Sequence, residues 1–405
     1  MINEEVGMQI IDKNRPTKEW IADLRKRFPC EKEVDRVLTR KLERRSGPPY
    51  APVTLEELTK GTEKLLRKKL LDSFEITDTK WLSGGASKLQ MAFKLSWNRP
   101  GFGRVLTPMV LRMEPSESIS ETSRLCEFEI IKALEGSIPV PPAYFVDAAA
   151  EYLPYPAIIY GFAEGVAKPS ETSSGVTGIG TFIPPSLREK LGQQFVEHLA
   201  KLHSFQWGNA QLESFDVPTL GTQVVEWQLN HWERVWEEDS NEDVPLMRLA
   251  MAWLRKNMPP VDHLSVIHGD FRTGNFLFTE DDQQITAWLD WEYGHLGDRH
   301  EDLSWSTKEL FGHCAEDKKT FLVGGLMPME KFYEEYEKIS GLSINQKTMK
   351  YYNIFTSYKT IAITLATGYR APRNGKTHQD VLVAWFSGIA YTLLEELRMQ
   401  LEEVI

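Results

Sequence analysis

The pattern of apolar and polar residues changes character along the chain, beginning with a helical segment. Behind a capping box formed by Thr54 and Glu57, apolar residues recur at helical spacing and predict a helix to about Leu71. The proline-containing stretch at 48–52 separates this helix from a mixed-charge N-terminal segment. The apolar positions of the helix are Leu55, Leu58, Leu65 and Leu66.

From Phe74 the pattern changes to short apolar runs separated by turn residues. Three of these runs predict strands: FEITDTKWL, KLQMAFKL and TPMVLRM. SETSRLCEFEIIKALEG predicts a helix, and VPPAYFVD and PAIIYGF predict two more strands. Several antiparallel strands with one helix packed against them indicate an α+β unit of about 90 residues.

Beyond residue 163 the pattern is mainly helical, apart from strands predicted over 264–290. A stretch rich in Gly, Ser and Thr at 171–182 predicts a mobile loop. From Leu303 to Ile405 the pattern predicts helices throughout. We therefore predict three parts: a helical extension, a small lobe and a larger, mainly helical lobe, over residues 1–71, 72–163 and 164–405.

Composition narrows the classes of partner and compartment. The chain has 405 residues, with 47 Lys and Arg against 58 Asp and Glu, and its net charge of −11 argues against nucleic acid or an anionic membrane as partner. The three cysteines are far apart, which favours a reducing compartment over a disulfide framework or a zinc site. Without a signal-peptide pattern or a long apolar run, we expect a cytoplasmic protein with no membrane span.

Two runs of charge stand out. The basic run RVLTRKLERR, which ends at Arg45, could suggest an anionic partner, but a solvated helix face is the commoner role of such a run. The acidic run WEEDSNED at 236–243 similarly predicts a solvated turn. We therefore expect both runs to face water.

The segment VIHGDFRTGNFLFTEDDQQITAWLDWEYGHLGD carries the candidate chemistry. Two apolar runs flank the polar turn TEDDQQ and predict a hairpin. Asn275 stands just before its first strand and Asp290 ends its second, so the hairpin brings these two residues to one open end, about 5 Å across. An amide oxygen and a carboxylate so placed are suitable ligands for Mg²⁺.

Five residues before Asn275, a Gly-containing loop carries a second carboxylate, Asp270. An acid beside a magnesium site can accept the proton of an attacking hydroxyl. Asp270 would orient and deprotonate the acceptor, while Asn275 and Asp290 would hold a metal that bridges the phosphates of a nucleotide. These are the parts of a phosphoryl-transfer enzyme.

At this point the segment resembles a known family. HGDFRTGN is similar to the HGDxxxxN catalytic loop of the aminoglycoside phosphotransferase and choline kinase superfamily, and LDWEYGHLGD to its metal motif. The resemblance implies an α+β, two-lobed protein-kinase-like fold with a small antiparallel-sheet N-lobe and a larger, mainly helical C-lobe. It implies Mg²⁺ as cofactor and ATP or GTP as phosphoryl donor. The same texture resembles the kinase-like domain fused to some acyl-CoA dehydrogenases.

The resemblance also implies nucleotide-binding residues. Arg112 stands where aminoglycoside members use lysine, with Glu127 as its expected partner and Glu129 as the fallback; an arginine facing a helix acid could also be merely structural. His203 and His268 are expected to be packed residues, and Asp298 and Asp302 to brace the catalytic loop. The phosphate-covering turn and the adenine-binding hinge would be Gly84, Gly85, Ala86 and Ser87, and Gly161, Phe162 and Ala163, respectively.

The predicted activity is transfer of a γ-phosphoryl group to a hydroxyl of a small molecule. The alternative is a nucleotide-binding pseudokinase or sensor without turnover, and a protein kinase ranks last because nothing resembles an activation loop ending in APE. The resemblance leaves the acceptor, the choice of ATP or GTP and the oligomeric state open. Lys359, Arg370 and Arg373, in a segment expected near the acceptor, favour a less cationic acceptor than an aminoglycoside.

Overall fold

The computed structural model of the chain describes residues 12–82, 88–171, 179, 181–378 and 380–405. Its first part is three helices, α1 to α3, at Lys18–Arg27, Lys32–Arg45 and Leu55–Lys69. The predicted capping box is confirmed: Thr54 Oγ1 accepts from the Glu57 backbone N–H at 3.2 Å, and Glu57 Oε2 accepts from the Thr54 N–H at 2.8 Å. The third helix therefore begins where the sequence predicts and ends at Lys69.

A five-stranded antiparallel sheet follows, with helix α4 (Arg124–Leu134) packed against it. Successive residues of a strand face opposite sides, so Leu111 packs toward α3 while Val110 packs in the cluster that contains Ile130 of α4. Arg112 shares the face of Val110 and is thereby directed to α4. The strands β1 to β5 are Glu75–Trp81, Leu89–Arg99, Gly103–Met113, Ala143–Asp147 and Ala157–Gly161, in the spatial order β1-β2-β3-β5-β4.

The remainder of the chain is mainly helical, which confirms the predicted α+β, two-lobed class. Its helices α5 to α13 are Pro185–His203, Gln223–Asp239, Pro245–Lys256, His300–Ser306, Met329–Ser340, Gln346–Ile361, Gly368–Arg373, Asp380–Phe386 and Ala390–Glu402. A π-helical turn at Ala362–Thr367 joins α10 to α11. No helix among the described residues is long and apolar enough to cross a bilayer.

Short strands carry the candidate chemistry. Strands β6 (Ser265–Ile267) and β9 (His295–Gly297) pair with each other, and β7 (Phe276–Thr279) pairs with β8 (Gln284–Trp288). The second pair is the predicted hairpin, with Phe276 opposite Trp288. The catalytic-loop segment therefore runs from the end of β6 to the start of β7.

One prediction of secondary structure is wrong. The segment expected to be helical from Leu303 onward contains a three-stranded sheet of β10 (His313–Cys314), β11 (Phe321–Val323) and β12 (Met327–Pro328). Gly324 and Gly325 have φ values of 58° and 73°, which side-chain-bearing residues adopt only with strain, so the chain turns back there instead of continuing a helix. The apolar run FLVGGLMP is compatible with either structure, and these glycines decide it.

The two charge runs expected to face water are partly buried against each other. Arg45 Nη2 contacts Asp239 Oδ1 at 2.5 Å, and Lys41 Nζ lies 2.7 Å from Glu238 Oε2 and 2.9 Å from Asp239 Oδ2. The prediction of two solvated faces is wrong at these positions, because each run neutralises the other. We call this group the anchor cluster; its members are Lys41, Arg45, Glu238, Asp239 and Arg370, whose Nε donates to Asp239 O at 2.9 Å.

Candidate active site

The loop that carries Asp270 is held by its backbone. The His268 and Gly269 N–H groups donate to the Asp302 carboxylate at 2.7 and 2.8 Å, so Asp302 braces the loop as the resemblance implies. Gly269 has a φ of 78°, and a Cβ there would lie 2.5 Å from Cβ of Tyr293. Only glycine therefore fits at this point of the loop.

The Asp270 carboxylate accepts hydrogen bonds on both oxygens. Oδ1 accepts from Arg272 Nε at 2.9 Å and from Trp305 Nε1 at 2.6 Å, while Oδ2 accepts from Asn275 Nδ2 at 2.6 Å. Sequence reasoning missed Arg272 and Trp305. Arg272 could have been found as the cation two residues after Asp270, whereas Trp305, 35 residues further on, gave no local signal.

Asn275 and Asp290 come to the same end of the β7–β8 hairpin. The Leu289 N–H donates to Asn275 O at 2.7 Å, which ties the two ends of the hairpin together. Asp290 has a left-handed backbone, with φ 60° and ψ 47°, and its Oδ1 lies 2.8 Å from Arg112 Nη2. The Asn275 amide nitrogen contacts Asp270 and the Asp290 carboxylate contacts Arg112, so each predicted ligand is linked to a different part of the site.

Arg112 links Asp290 to helix α4. Its Nη1 lies 2.5 Å from Glu127 Oε1, so the expected partner is present, while the fallback Glu129 instead accepts from the Ser214 N–H at 2.9 Å. Arg124, one turn before Glu127, also pairs with it and was missed. We call this group the cleft cluster; its members are Lys88, Arg112, Arg124, Glu127, Asp290 and Glu292, with Lys88 Nζ 3.0 Å from Glu292 Oε2.

The pKa values of the cleft cluster follow from burial and neighbouring charges. Burial raises the pKa of Glu292, but the cations Lys88, Arg112 and Arg124 outweigh it and bring the pKa to about 2. The pKa of Asp290 is raised, because its partial withdrawal from water and the nearby carboxylates together outweigh Arg112. The Asp290 side chain nevertheless remains 42% exposed, and its carboxylate can be reached from solvent.

The structure describes the predicted hinge residues but not the predicted phosphate-covering turn. Gly84, Gly85, Ala86 and Ser87 lie outside the described residues. At the hinge, the Gly161 N–H donates to Pro142 O at 2.9 Å and the Phe162 N–H to Pro108 O at 3.0 Å. These two amide groups are therefore bonded within the small lobe, and Ala163 follows them directly.

Two of the three cations expected near the acceptor are neutralised inside the protein. Lys359 Nζ donates to Gly269 O at 2.8 Å and to Glu301 Oε1 at 3.0 Å, and Arg370 belongs to the anchor cluster. Arg373 is exposed. The expectation that Lys359 and Arg370 present positive charge to an acceptor is wrong, because both charges are already paired inside the protein. Their partners come from segments that are distant in the chain.

Comparison with known proteins identifies the family of the chain. The family model described as "Phosphotransferase enzyme family" matches residues 83–326, more than half of the chain. Acyl-CoA dehydrogenase family member 11 from Pongo abelii is 25% identical over 300 residues, which are 71% of this chain and 36% of that protein. The human protein of that name is 32% identical over 123 residues, 30% of this chain and 15% of the relative. The chain thus spans about a third or less of the length of these relatives.

Solved structures show the same fold at low identity. A Ralstonia eutropha protein assigned to the aminoglycoside phosphotransferases has a TM-score of 0.62 and 20% identity, over 85% of this chain and 98% of that one. A type I macrolide 2′-phosphotransferase has a TM-score of 0.52 and 15% identity, over 82% of this chain and 97% of that one. The fold and the family match confirm the resemblance read from HGDFRTGN and LDWEYGHLGD, and we conclude that the chain belongs to the phosphotransferase enzyme family.

Proposed function

We propose that the protein is a magnesium-dependent enzyme that transfers the γ-phosphoryl group of ATP or GTP to a hydroxyl of a small molecule. The observation that carries the proposal is the arrangement of Asp270, whose carboxylate is held by three donors, one of which is the proposed metal ligand Asn275. Within the proposed three-part organisation, residues 72–163 would bind the nucleotide and residues 164–405 would bind the acceptor and carry out catalysis, with 1–71 as a helical extension.

The donor set suits Mg²⁺. This ion keeps several waters and is held by one or two carboxylates together with substrate phosphates, so an amide and a carboxylate suffice as protein ligands. We propose that Asn275 and Asp290 hold it, and when bound it would neutralise charge on the phosphates. Arg112 would supply a permanent positive charge to the phosphates, and Glu127 keeps its guanidinium in place from the other side.

The proposed chemistry needs only one proton acceptor from the protein. The acceptor hydroxyl oxygen forms a bond to the γ-phosphorus while the bond from that phosphorus to the β,γ-bridging oxygen breaks, and the nucleoside diphosphate leaves. Asp270 receives the hydroxyl proton. The Arg272 and Trp305 donors orient the Asp270 carboxylate for this role.

The acceptor is proposed to be an alcohol or hydroxy acid rather than a polycation. Aminoglycosides carry several ammonium groups and require clustered free carboxylates. In the acidic run of this chain, Glu238 and Asp239 form ion pairs with Lys41 and Arg45 and are not free. In α13, Glu395 and Glu402 are paired with Arg398 on an exposed face.

A screen with a defined panel tests the activity. Alcohols, sugars, hydroxy acids and aminoglycosides are incubated with Mg-ATP or Mg-GTP, and release of ADP or GDP is measured. We expect turnover with a weakly charged alcohol or hydroxy acid. An aminoglycoside with kcat/KM near 10⁵ M⁻¹s⁻¹, an ordinary value for a true substrate, would overturn the acceptor class. Nucleotide binding without turnover on any member of the panel would favour the sensor alternative.

A second experiment tests the metal role. Asp290→Ala should abolish magnesium-dependent nucleotide binding, because the remaining protein ligand, Asn275, is neutral. Calorimetric titration of ATP with and without Mg²⁺ measures this. Asp281→Ala, at the exposed turn of the same hairpin, is the matched control and should bind as the wild type does. Unchanged Mg-ATP affinity in Asp290→Ala would contradict the metal assignment.

We also propose a cytoplasmic location. Cys30, Cys126 and Cys314 are free cysteines, which supports the reducing compartment expected from the sequence.

A further inference from the structure

Trp305 lies in α8 and is buried, with 5% of its surface exposed. Its indole N–H donates to Asp270 Oδ1 at 2.6 Å. We propose that Trp305 is a positioning residue for the base: together with Arg272 it occupies Oδ1, so that Oδ2 alone receives the proton of the acceptor. This inference rests on the proposed function, because it assigns the atom of Asp270 that acts in the reaction.

The count of hydrogen bonds on the carboxylate supports the assignment. A carboxylate oxygen has two lone-pair positions, and Oδ1 uses both, for Trp305 Nε1 at 2.6 Å and Arg272 Nε at 2.9 Å. Oδ2 accepts from Asn275 Nδ2 at 2.6 Å and keeps a second position. The amide of Asn275 can hold this bond through its nitrogen while its oxygen is directed to a metal. Oδ2 therefore has a free acceptor position for the hydroxyl of the acceptor, and Oδ1 does not.

The position of Trp305 is itself well determined. Its ring centroid lies 5.3 Å from that of Phe311, and Lys359 Nζ lies 5.0 Å from its ring. Lys359 also donates to Gly269 O at 2.8 Å, so one ammonium group contacts both the tryptophan and the catalytic loop. The indole is therefore held by contacts on more than one side next to Asp270.

Helix α8 holds the loop at two levels. Asp302 accepts from the His268 and Gly269 N–H groups, and Trp305, three residues later on the same face, donates to the Asp270 side chain. The helix thus fixes both the backbone and the carboxylate of the loop. An indole N–H needs only one acceptor, and that of the half-buried Trp207 uses a backbone carbonyl, Leu264 O, at 2.9 Å. Trp305 instead donates to a carboxylate, which is the stronger type of bond.

The kinetic test removes the indole donor and keeps an aromatic ring. Trp305→Phe should lower kcat with Mg-ATP and the best acceptor of the panel by about tenfold or more, since a bond to a charged group is lost. The Kd for Mg-ATP should stay within about twofold of the wild-type value, because a neutral phenyl ring replaces a neutral indole outside the proposed nucleotide site. The control is Trp97→Phe: Trp97 is also 5% exposed and donates its indole N–H at 2.9 Å, but to Thr107 Oγ1 in the sheet. It should leave kcat unchanged.

A spectroscopic test reads the contact without turnover. In protein labelled with ¹⁵N-tryptophan, the indole resonance lost in Trp305→Phe identifies Trp305 among the 12 tryptophans. Asp270→Asn should move its indole proton upfield, because a bond to a charged oxygen becomes a bond to a neutral one, while the Trp97 resonance stays in place. This readout also serves if Trp305→Phe is poorly folded, since the Trp305 resonance can then be assigned in the wild type from its proton contacts with the neighbouring ring of Phe311.

The outcomes separate the two proposals. If Trp305→Phe turns over as fast as Trp97→Phe, or if the Trp305 resonance does not respond to Asp270→Asn, the positioning role is overturned and the phosphotransferase activity stands. If the wild type turns over no acceptor of the panel, the proposed function fails and the assignment of Oδ2 as proton acceptor fails with it. A slowed Trp305→Phe with intact Mg-ATP binding supports both.

Discussion

The anchor cluster and the cleft cluster each bring opposite charges together, yet they differ in how firmly their carboxylates are held. Asp239 of the anchor cluster contacts Lys41 and Arg45 and accepts from Thr367 Oγ1 at 2.8 Å. Burial alone would raise the pKa of Asp239, but these cations bring it well below its usual range. In the cleft cluster, Asp290 contacts Arg112, has a raised pKa and is 42% exposed.

This difference separates a structural role from a functional one. Removing one member of a closely paired buried group leaves a charge without compensation, so the anchor cluster joins the N-terminal extension to helix α6 and resists change. Arg112 is bound by Glu127 as well as by Asp290. If Asp290 turned to a metal, as proposed above, Arg112 would therefore keep Glu127 as its partner. We infer that Asp290, the less firmly held of the two carboxylates, is the one available for chemistry.

The largest effect is expected at the base. Asp270→Asn should lower kcat by roughly 10² to 10⁴, because general-base assistance is typically worth that much. Mg-ATP affinity should be retained, since Asp270 is not a proposed ligand of the nucleotide. Steady-state kinetics and calorimetry measure the two quantities. Wild-type turnover on the true acceptor would exclude Asp270 as the base.

The next largest effect is expected in the anchor cluster. Asp239→Ala should lower the free energy of unfolding by roughly 3–5 kcal/mol, since it leaves Arg45 buried without its nearest carboxylate and Lys41 with Glu238 alone. Denaturant titration measures this, and kcat/KM of the folded fraction should be unchanged. Asp243→Ala is the matched control: Asp243 lies in the same acidic run, with a 60% exposed side chain paired to Arg248. Its effect should stay within about 0.5 kcal/mol, and equal losses in the two variants would remove the contrast.

A third charged group is the pair of His295, in β9, and Glu301, in α8, and its histidine titrates within an experimentally accessible pH range. Burial lowers the pKa of His295, but the Glu301 carboxylate, 3.3 Å from its Nε2, outweighs burial and raises the pKa to about 9. A histidine with a raised pKa stabilises the fold fully below its unfolded pKa of about 6.5 and loses that contribution as the pH rises through the folded value.

The stability of the wild type should therefore fall on the order of 3 kcal/mol between about pH 6.5 and pH 9 because of this group. His295→Gln should lack that part of the fall. Denaturant titrations of both proteins across this range measure it, and parallel curves would show that the pair does not contribute.

The smallest effect concerns the cation of the cleft cluster. Arg112→Lys should raise KM for the nucleotide about tenfold, because a lysine cannot contact Glu127 and a phosphate with the two arms of one planar fork. The midpoint of thermal unfolding should fall only modestly, since the positive charge is kept and one buried hydrogen bond is lost. A KM equal to that of the wild type would mean that charge alone matters at this position.

Features set by neighbouring residues could be read from the sequence. The capping box at Thr54, the five strands and the β7–β8 hairpin depend on patterns a few residues long, and the structure has all of them. The contact of Arg112 with Glu127 followed from the family pattern of a strand cation and a helix acid. Asp270 and Asn275 are close because only five residues separate them in one loop.

Other features depend on contacts between distant segments. Arg45 and Asp239 are separated by 194 residues, and nothing within either charge run distinguishes a buried run from a solvated one. The Trp305 donor to Asp270 and the Lys359 contact to Gly269 likewise join elements that only packing brings together. Burial makes a charge costly unless a partner is near, and the identity of that partner is a property of the folded chain. For this reason the sequence indicated the candidate reactive groups, while the three-dimensional packing determined which charges are neutralised and which carboxylate remains open to solvent.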